Sequence, residues 1–297
     1  MGEPLTEHTL GTISEYNDLV FSTFEQWKAE TGNKSTPQLW FRGQDRDDPL
    51  LPKVLRQVKD PNTGKECNYN EYYIHQAFSA SYRNYTPERF LDRSSEYYSF
   101  MQHYGIPTRL LDWTENAALA VYFAVNGGTY DENVQRVIWV MNPGAINSLT
   151  KARMGSYAPL LSTTPFVQAR MKMPGSIRDG ELLKGFTDKE LLPIGLSTES
   201  VKFPVAFWPT SSGNIRIVAQ KGCFTIHGTD PRPIETFFDN SEIRRYLVKV
   251  KIRKESVASL REQLRLMGVT PMSIYPDLFG LATELSGPRY MRAGQPQ

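Results

Sequence analysis

Apolar residues recur along this chain in two rhythms, one helical and one alternating. Between Thr12 and Lys28, Ile13, Tyr16, Leu19, Val20, Phe24 and Trp27 share one helical face, and Thr12 with Glu15 forms a capping box at its start. The spacing predicts an amphipathic helix. The compact aromatic run QLWFR (38–42), bounded by polar turn residues, predicts a short buried strand. DPNTGKECN (60–68) is loop by its Pro, Asn and Gly content. Residues 70–102, rich in Tyr and Phe, predict two helices parted near Tyr85, Thr86 and Pro87. Proline suits a first helical turn and disfavours helix in the residue before it.

ENAALAVYFAV (115–125) is apolar nearly all round, which predicts a helix buried on most sides, with Thr114 as its cap. VQRVIWVM (134–141) is a β-branched, aromatic strand, and VKFPVAFW, IRIVA and CFTIHG follow as short strands between turn signals. YLVKVKI (246–252) alternates apolar and basic residues, so Lys249, Lys251 and Arg253 fall on a wet sheet face. Ser256 to Met267 predicts an amphipathic helix, and Gly268 stands where a C-terminal cap belongs. Residues 143–200 mix Gly, Pro, Ser and Thr with short charged pieces, and are expected to hold insertions or a mobile lid rather than a second core. With no internal repeat, the pattern gives one α+β domain: a mixed or antiparallel sheet with N-terminal and flanking helices.

Composition narrows the function classes. A net charge of +2 over 297 residues carries no electrostatic signature that would require DNA or a membrane surface as partner. No run approaches eighteen apolar residues, and the first residues are acidic and polar, unlike a secretory signal, so a soluble cytoplasmic protein with no membrane partner is expected. Two isolated cysteines and four scattered histidines argue against a disulfide framework and a metal cage. Phosphate-binding Gly-Lys-Ser/Thr loops, G-x-G-x-x-G and G-x-S-x-G elbows do not occur.

Two segments are dense in groups that are costly to bury. In LWFRGQDRDDPLLPKVLR (39–56) an apolar run closes on Arg42 and Gly43; in QHYGIPTRLLDWTENAALAVYFA (102–124), His103, Tyr104, Arg109, Asp112, Trp113 and Thr114 interrupt apolar surroundings. Charged groups flanked by core segments must be paired or must face a cleft. Two readings stand for Arg42: a guanidinium fork at a cleft lip, or a buried ion pair with Asp112. Asp112 in turn could position a hydroxyl or pair with Arg109, three residues earlier. His103 reads as a general base, an orienter, or a satisfied half-buried side chain. Trp113 reads as core, and Lys53 and Arg56 as solvated charges on an exposed turn. Gly43 marks a close backbone approach, and, lying at an element's end, is expected to tolerate replacement as far as folding is concerned.

The two segments together resemble the FRG-domain family, named for a Phe/Tyr-Arg-Gly motif, here Phe41, Arg42 and Gly43. The family's H-Y-G-x-P-T-R-L-L-D-W-T stretch is matched from His103 to Thr114, and its Y-F-A from Tyr122 to Ala124. AQKGCFTI (219–226) is similar to the family's Q-x-G-x-F element and SIYPDLFGLATEL (273–285) to its closing segment. The resemblance spans residues 36–285, leaving a helical segment at 1–35 and a tail at 286–297.

A weaker resemblance, of LWFRG and AVYFA, is to the ADP-ribosyltransferases. It implies that Arg42, Gly43, Gln44, Tyr104, Arg109, Thr114, Tyr122 and Phe123 hold NAD or a related nucleotide, and that Arg42, His103, Asp112 and Gln220 serve the chemistry. Such transferases use a late-strand glutamate. If IRIVAQKGCFTI is that strand and turn, Asn214 and Arg216 stand there instead. Either the register differs, or Gln220 or Glu199 substitutes, or transfer is lost. The implied role is that of an effector in a bacterial toxin or phage-defence setting, with an antitoxin or other partner protein. The alternative is a non-catalytic module that binds a nucleotide, RNA or protein in the same cleft.

Overall fold

The computed structural model describes residues 5–30, 32, 36–90, 94–127, 134–154, 202–209, 214–228, 230–239 and 242–287. Inside the sheet lies β6 (Val137–Met141), whose five residues are all buried, as a strand covered on both faces requires. On one side of it β2 (Trp40–Gln44) runs antiparallel, and on the other β9 (Leu247–Ile252) does the same. β1 (Thr6–Leu10) joins β9 in parallel. Beyond β2 come β5 (Leu110–Thr114), β8 (Gly222–Ile226) and β7 (Val205–Phe207), each antiparallel to its neighbour. The sheet order is therefore β1-β9-β6-β2-β5-β8-β7, a mixed sheet in an α+β fold, and β3 (Val58–Lys59) with β4 (Glu66–Cys67) makes a separate hairpin.

Strand alternation sorts the side chains into two faces. On one face Trp40, Leu111, Trp113, Trp139 and Cys223 meet α5 (Pro143–Met154) and α7 (Ile234–Phe237) in a single core. The other face carries two cores. Phe41, Ile138, Val140 and Val250 pack under α1 (Ile13–Glu30), α4 (Ala117–Asn126) and α8 (Val257–Leu266). Leu110, Phe224, Ile226 and Phe207 pack under α2 (Glu71–Ser81) and α3 (Ser95–His103). Three short helices, α6 (Ile215–Ala219), α9 (Pro271–Ile274) and α10 (Leu278–Leu285), lie beside the line where those two cores part.

Several local signals act as the sequence suggests. The Thr12 hydroxyl accepts from the Glu15 amide at 3.1 Å while the Glu15 carboxylate accepts from the Thr12 amide at 3.2 Å, closing the capping box of α1. Gly268 takes φ 78° after α8. The basic face of β9 is drier than expected: Lys249 is mostly buried over the Trp139 ring at 5.2 Å and pairs with Asp47 at 2.6 Å, while Lys251 pairs with Glu7 at 2.5 Å.

Other elements differ from expectation. The N-terminal segment holds α1 as expected, and ahead of that helix it also contributes β1 to the sheet. Pro87 does not start a helix: α3 begins at Ser95, where the Ser94 hydroxyl accepts from the Tyr97 amide at 3.2 Å. Thr114 still belongs to β5, so the cap of α4 is Asn116, whose side chain accepts from the amides of Ala118 and Leu119. IRIVA is not a strand but α6, because Asn214 caps it and Ile215 and Val218 face outward on one helical side. A five-residue apolar run fits either period. Of the unassigned stretch 143–200, residues 143–154 form α5, and residues 155–200, Glu199 among them, lie outside the described residues.

Gly43 overturns its expectation. A Cβ at this position would overlap the carbonyl oxygen of Ala120 and stand 2.7 Å from the Ala124 amide nitrogen, both in the backbone of α4. The close approach is that of a helix on a strand, so the folding core depends on it. Gly43→Ala should cost about 3 kcal/mol or more, a fall in Tm of roughly 6–12 °C, and Gly43→Val should not fold. A melting curve for Gly43→Ala that overlays the wild type would contradict this packing.

Candidate functional site

β2 and β5 pair at one position only, Phe41 opposite Thr114. Past it the strands diverge. In the gap, Arg42 Nη1 donates to the backbone carbonyl of Asp112 at 2.7 Å, so a side chain satisfies a carbonyl on the edge of β5 that β2 does not reach. The Asp112 carboxylate is farther from that nitrogen, at 3.9 Å, and is instead held by Gln102, whose Nε2 donates to Oδ2 at 2.8 Å. Gln102 is fixed in turn by the Thr108 hydroxyl, which donates to its Oε1 at 2.6 Å. Arg42 Nε is buried with no acceptor among the described residues. Burial, opposed by Asp112 and reinforced by Arg56, lowers the Arg42 guanidinium to about 10, so it remains cationic at neutral pH.

A cleft of about 430 Å³ opens over this gap, between the two cores on that face of the sheet. Its floor is Phe41, Gly43, Asp112, Thr114 and Phe224; α4 contributes Phe123 on one side, and α3 contributes Ser99, Gln102 and His103 on the other. Arg216, Gln220 and Tyr275 form the remaining wall. Of the residues that the sequence marks, Arg42, Gly43, Gln44, His103, Asp112, Thr114, Phe123 and Gln220 therefore line one cavity although they come from distant parts of the chain. Gln44 is held by the Trp139 indole, which donates to its Oε1 at 2.8 Å. The Thr114 hydroxyl donates to the Gln220 carbonyl at 2.6 Å and accepts from the Asn116 amide at 3.0 Å, joining the floor to the rim and to the start of α4. Beside Gln220, Lys221 adopts φ 49°, a left-handed conformation unusual for a side chain with a Cβ.

Three marked residues lie elsewhere. Arg109 pairs with buried Glu71, Nε to Oε2 at 2.8 Å, and its Nη1 donates to the Gly228 carbonyl, so it ties α2 to the end of β5. It does not pair with Asp112, because residues three apart along an extended chain point to opposite faces. Burial pushes the Glu71 carboxyl up against the pull of Arg109. Tyr122 precedes Phe123 by about 100° of helical rotation and so points into the core, where burial raises its phenol to about 12, with Tyr275 and Glu284 adding to the shift. Tyr104 is exposed and borders a neighbouring cavity of about 220 Å³, which His103 and Arg216 share with the main cleft.

The cleft also holds residues to which sequence reasoning gave no role or another one. Arg216 forms an ion pair with Asp277 and lies over the Tyr275 ring at 5.2 Å. Arg56, read as a solvated charge, is half-buried at the cleft, its Nε donating to the Leu51 carbonyl at 2.8 Å. Trp113, read as core, is core and also touches the cavity; its indole donates to the Thr225 hydroxyl at 3.0 Å. Only the resemblance of 273–285 to a closing family segment pointed toward Tyr275. The carboxylates at the cavity are Asp45, Asp48 and Asp112, and no glutamate lines it among the described residues. The search for a late-strand glutamate at Asn214 and Arg216 loses its premise, since those residues cap and begin α6. Among the described residues no group of three His, Cys, Asp or Glu side chains could hold a metal, and no helix is long and apolar enough to cross a membrane.

An α+β fold with a cleft over a parted pair of central strands, floored by an arginine, is the class of protein these features define. Residues 37–133 match the family model of the FRG domain, so the chain carries an FRG domain over that stretch, including Phe41, Arg42 and Gly43 and the run from His103 to Thr114. The match is shorter than the 36–285 implied by the resemblance, although Gln220 and Tyr275, beyond it, complete the cleft. No curated protein and no solved structure matches the chain.

Two outcomes follow from this geometry. Breaking the buried pair with Glu71→Met or Arg109→Met should cost about 3–5 kcal/mol each, and combining the two substitutions should cost less than the sum. Chemical denaturation of the three variants measures this, and additive losses would show that the two groups do not interact. His103 is shifted below the ordinary histidine value of 6.5 by burial first and Arg216 second, with Asp277 opposing. Between the lowered folded value and the unfolded one, the unfolded chain binds more protons, so stability should rise with pH through that window and level off above it. His103→Gln should flatten that rise in thermal melts taken from acidic to neutral pH.

Proposed function

We propose that this cleft binds NAD or a closely related nucleotide diphosphate, as the site of an ADP-ribosyltransferase-like effector. The observation that carries the reading is Arg42. A permanently cationic fork is set at the floor of a concave site, with one donor already spent on the Asp112 carbonyl and another, Nε, buried without an acceptor among the described residues. Leaving a buried donor unmade is costly, and a fold that keeps one at a cavity has a use for it. Guanidinium groups match phosphate oxygens in a planar, two-donor geometry. The aromatic faces of Phe123, Phe224 and Tyr275 border the same cavity, and its volume of about 430 Å³ is within the usual range for small-molecule sites.

In this reading the diphosphate lies by Arg42 and a flat ring by Phe123. Asp112, its carboxylate oriented by Gln102, stands where a carboxylate can accept from a ribose hydroxyl or face positive charge developing at the anomeric carbon. His103, its affinity for protons lowered, is suited to accept a proton at neutral pH. A second reading, a binding module without catalysis, is favoured by one observation: no glutamate lines the cleft among the described residues.

Calorimetric titration with NAD, ATP and ADP-ribose tests the reading. Binding of at least one is expected, with Arg42→Ala weakening it about tenfold or more and Arg42→Lys also weakening it, because an ammonium lacks the planar fork. No heat from any of the three at millimolar ligand would end the nucleotide reading. Release of nicotinamide from bound NAD, abolished in Asp112→Asn, separates the transferase from the binding module; NAD that binds and is never cleaved leaves the module.

A further inference from the structure

On the far side of the Arg42 and Asp112 contact lies a second cavity, of about 410 Å³. Arg42, Arg56, Gln102 and Asp112 line both it and the main cleft, so they form the shared wall. Lys53 and Tyr69 belong to the second cavity alone. We propose that this side cavity is an anion subsite that takes a phosphoryl group, distinct from the ligand position in the main cleft.

The charges around it do not balance. Three cations, Lys53, Arg56 and Arg42, face one acid, Asp112, among the described lining residues, a surplus of two positive charges. That acid is already shared between Gln102 and Arg42, and its side chain is 54% exposed, so water weakens its hold on the cations. Neither Lys53 nor Arg56 has a carboxylate partner among the described residues. They are held in place by neutral acceptors instead: Lys53 Nζ donates to the Gly105 carbonyl at 2.6 Å and Arg56 Nε to the Leu51 carbonyl at 2.8 Å. Arg56 is also close enough to Arg42 to disfavour its charged form. Like charges brought together on fixed backbone anchors form a site for a multiply charged anion. A dianion offsets the surplus of two, and Gln57 and Tyr69 are neutral polar residues in the same lining. The phosphoryl group comes either from the ligand that fills the main cleft, reaching past Asp112, or from a second phosphorylated molecule.

The experiment uses inorganic pyrophosphate as the probe, titrated calorimetrically into the full chain. Wild-type protein should bind it, Lys53→Met and Lys53→Glu should weaken binding by about tenfold or more, and Lys254→Glu, an equal charge change on an exposed lysine away from the cavity, should leave it unchanged. Lys53 is exposed, so melting curves of its variants should overlay the wild type. Repeating the titration on NAD-saturated protein separates the two sources: competition means that the nucleotide's own phosphates occupy the cavity, and undiminished binding means a second molecule. A protein silent to NAD that still shows Lys53-dependent pyrophosphate binding keeps this subsite and loses the nucleotide reading of the cleft. No pyrophosphate binding at millimolar concentration, or equal losses in Lys53→Glu and Lys254→Glu, would overturn the proposal.

Discussion

The hydrogen bond from Arg42 to the Asp112 carbonyl lets the central sheet part without leaving an edge unsatisfied. A strand carbonyl that its ladder neighbour does not reach needs another donor, and here a side chain supplies it. Because a side chain answers it, β2 and β5 can separate after a single residue pair, and the gap becomes the floor of a cleft. The structural duty of Arg42 and its place at the cleft are then two sides of one contact. One nitrogen of the guanidinium maintains the opening, and the group as a whole lines the cleft that results.

The same constraint explains why three consecutive residues are needed. Phe41 turns into the core beneath α1 and α4, Arg42 spans the gap, and Gly43 lets the backbone of α4 descend onto β2. With alternating faces, the bulky ring and the bare backbone fall on the same side because Arg42 stands between them. What reads in sequence as a binding motif is, in the first instance, a set of instructions for packing one helix on one strand.

Much of this was legible. α1, β9 and α8 carry clear periodicities and β6 is a compact β-branched, aromatic run, and both signals are read locally. Arg42, His103 and Asp112 stood out because polar groups amid apolar ones must be answered somewhere. What answers them is set by tertiary contact, which is why the rest was not legible. Arg109 finds its carboxylate 38 residues back in α2, at Glu71, rather than at Asp112. The difference between Tyr122 in the core and Phe123 at the cleft is one step of helical phase, finer than an all-apolar helix reveals. β1, with the polar sequence TEHTL, is a strand only because β9 offers it an edge. Arg216 and Tyr275 come from short helices whose sequences carry little periodicity of their own, so their place at the cleft depends on the completed sheet.

The walls of the cleft are unequal in how they are held. α4 is buried along most of its length and locked to β2 at Gly43, so its wall is as firm as the core itself. The remaining wall, beside the one that α3 supplies, comes from α6 and α9, of five and four residues, and the residues that follow them, tethered by Gln220 Nε2 donating to the Ile274 carbonyl at 3.3 Å and by the partly buried Arg216–Asp277 pair. Such tethers open at a small fraction of the free energy that unfolds a core helix. The cleft thus behaves as an anvil and a jaw: compliance is confined to one side. Shape selection will be strict where a ligand lies along α4 and tolerant where it meets Arg216 and Tyr275.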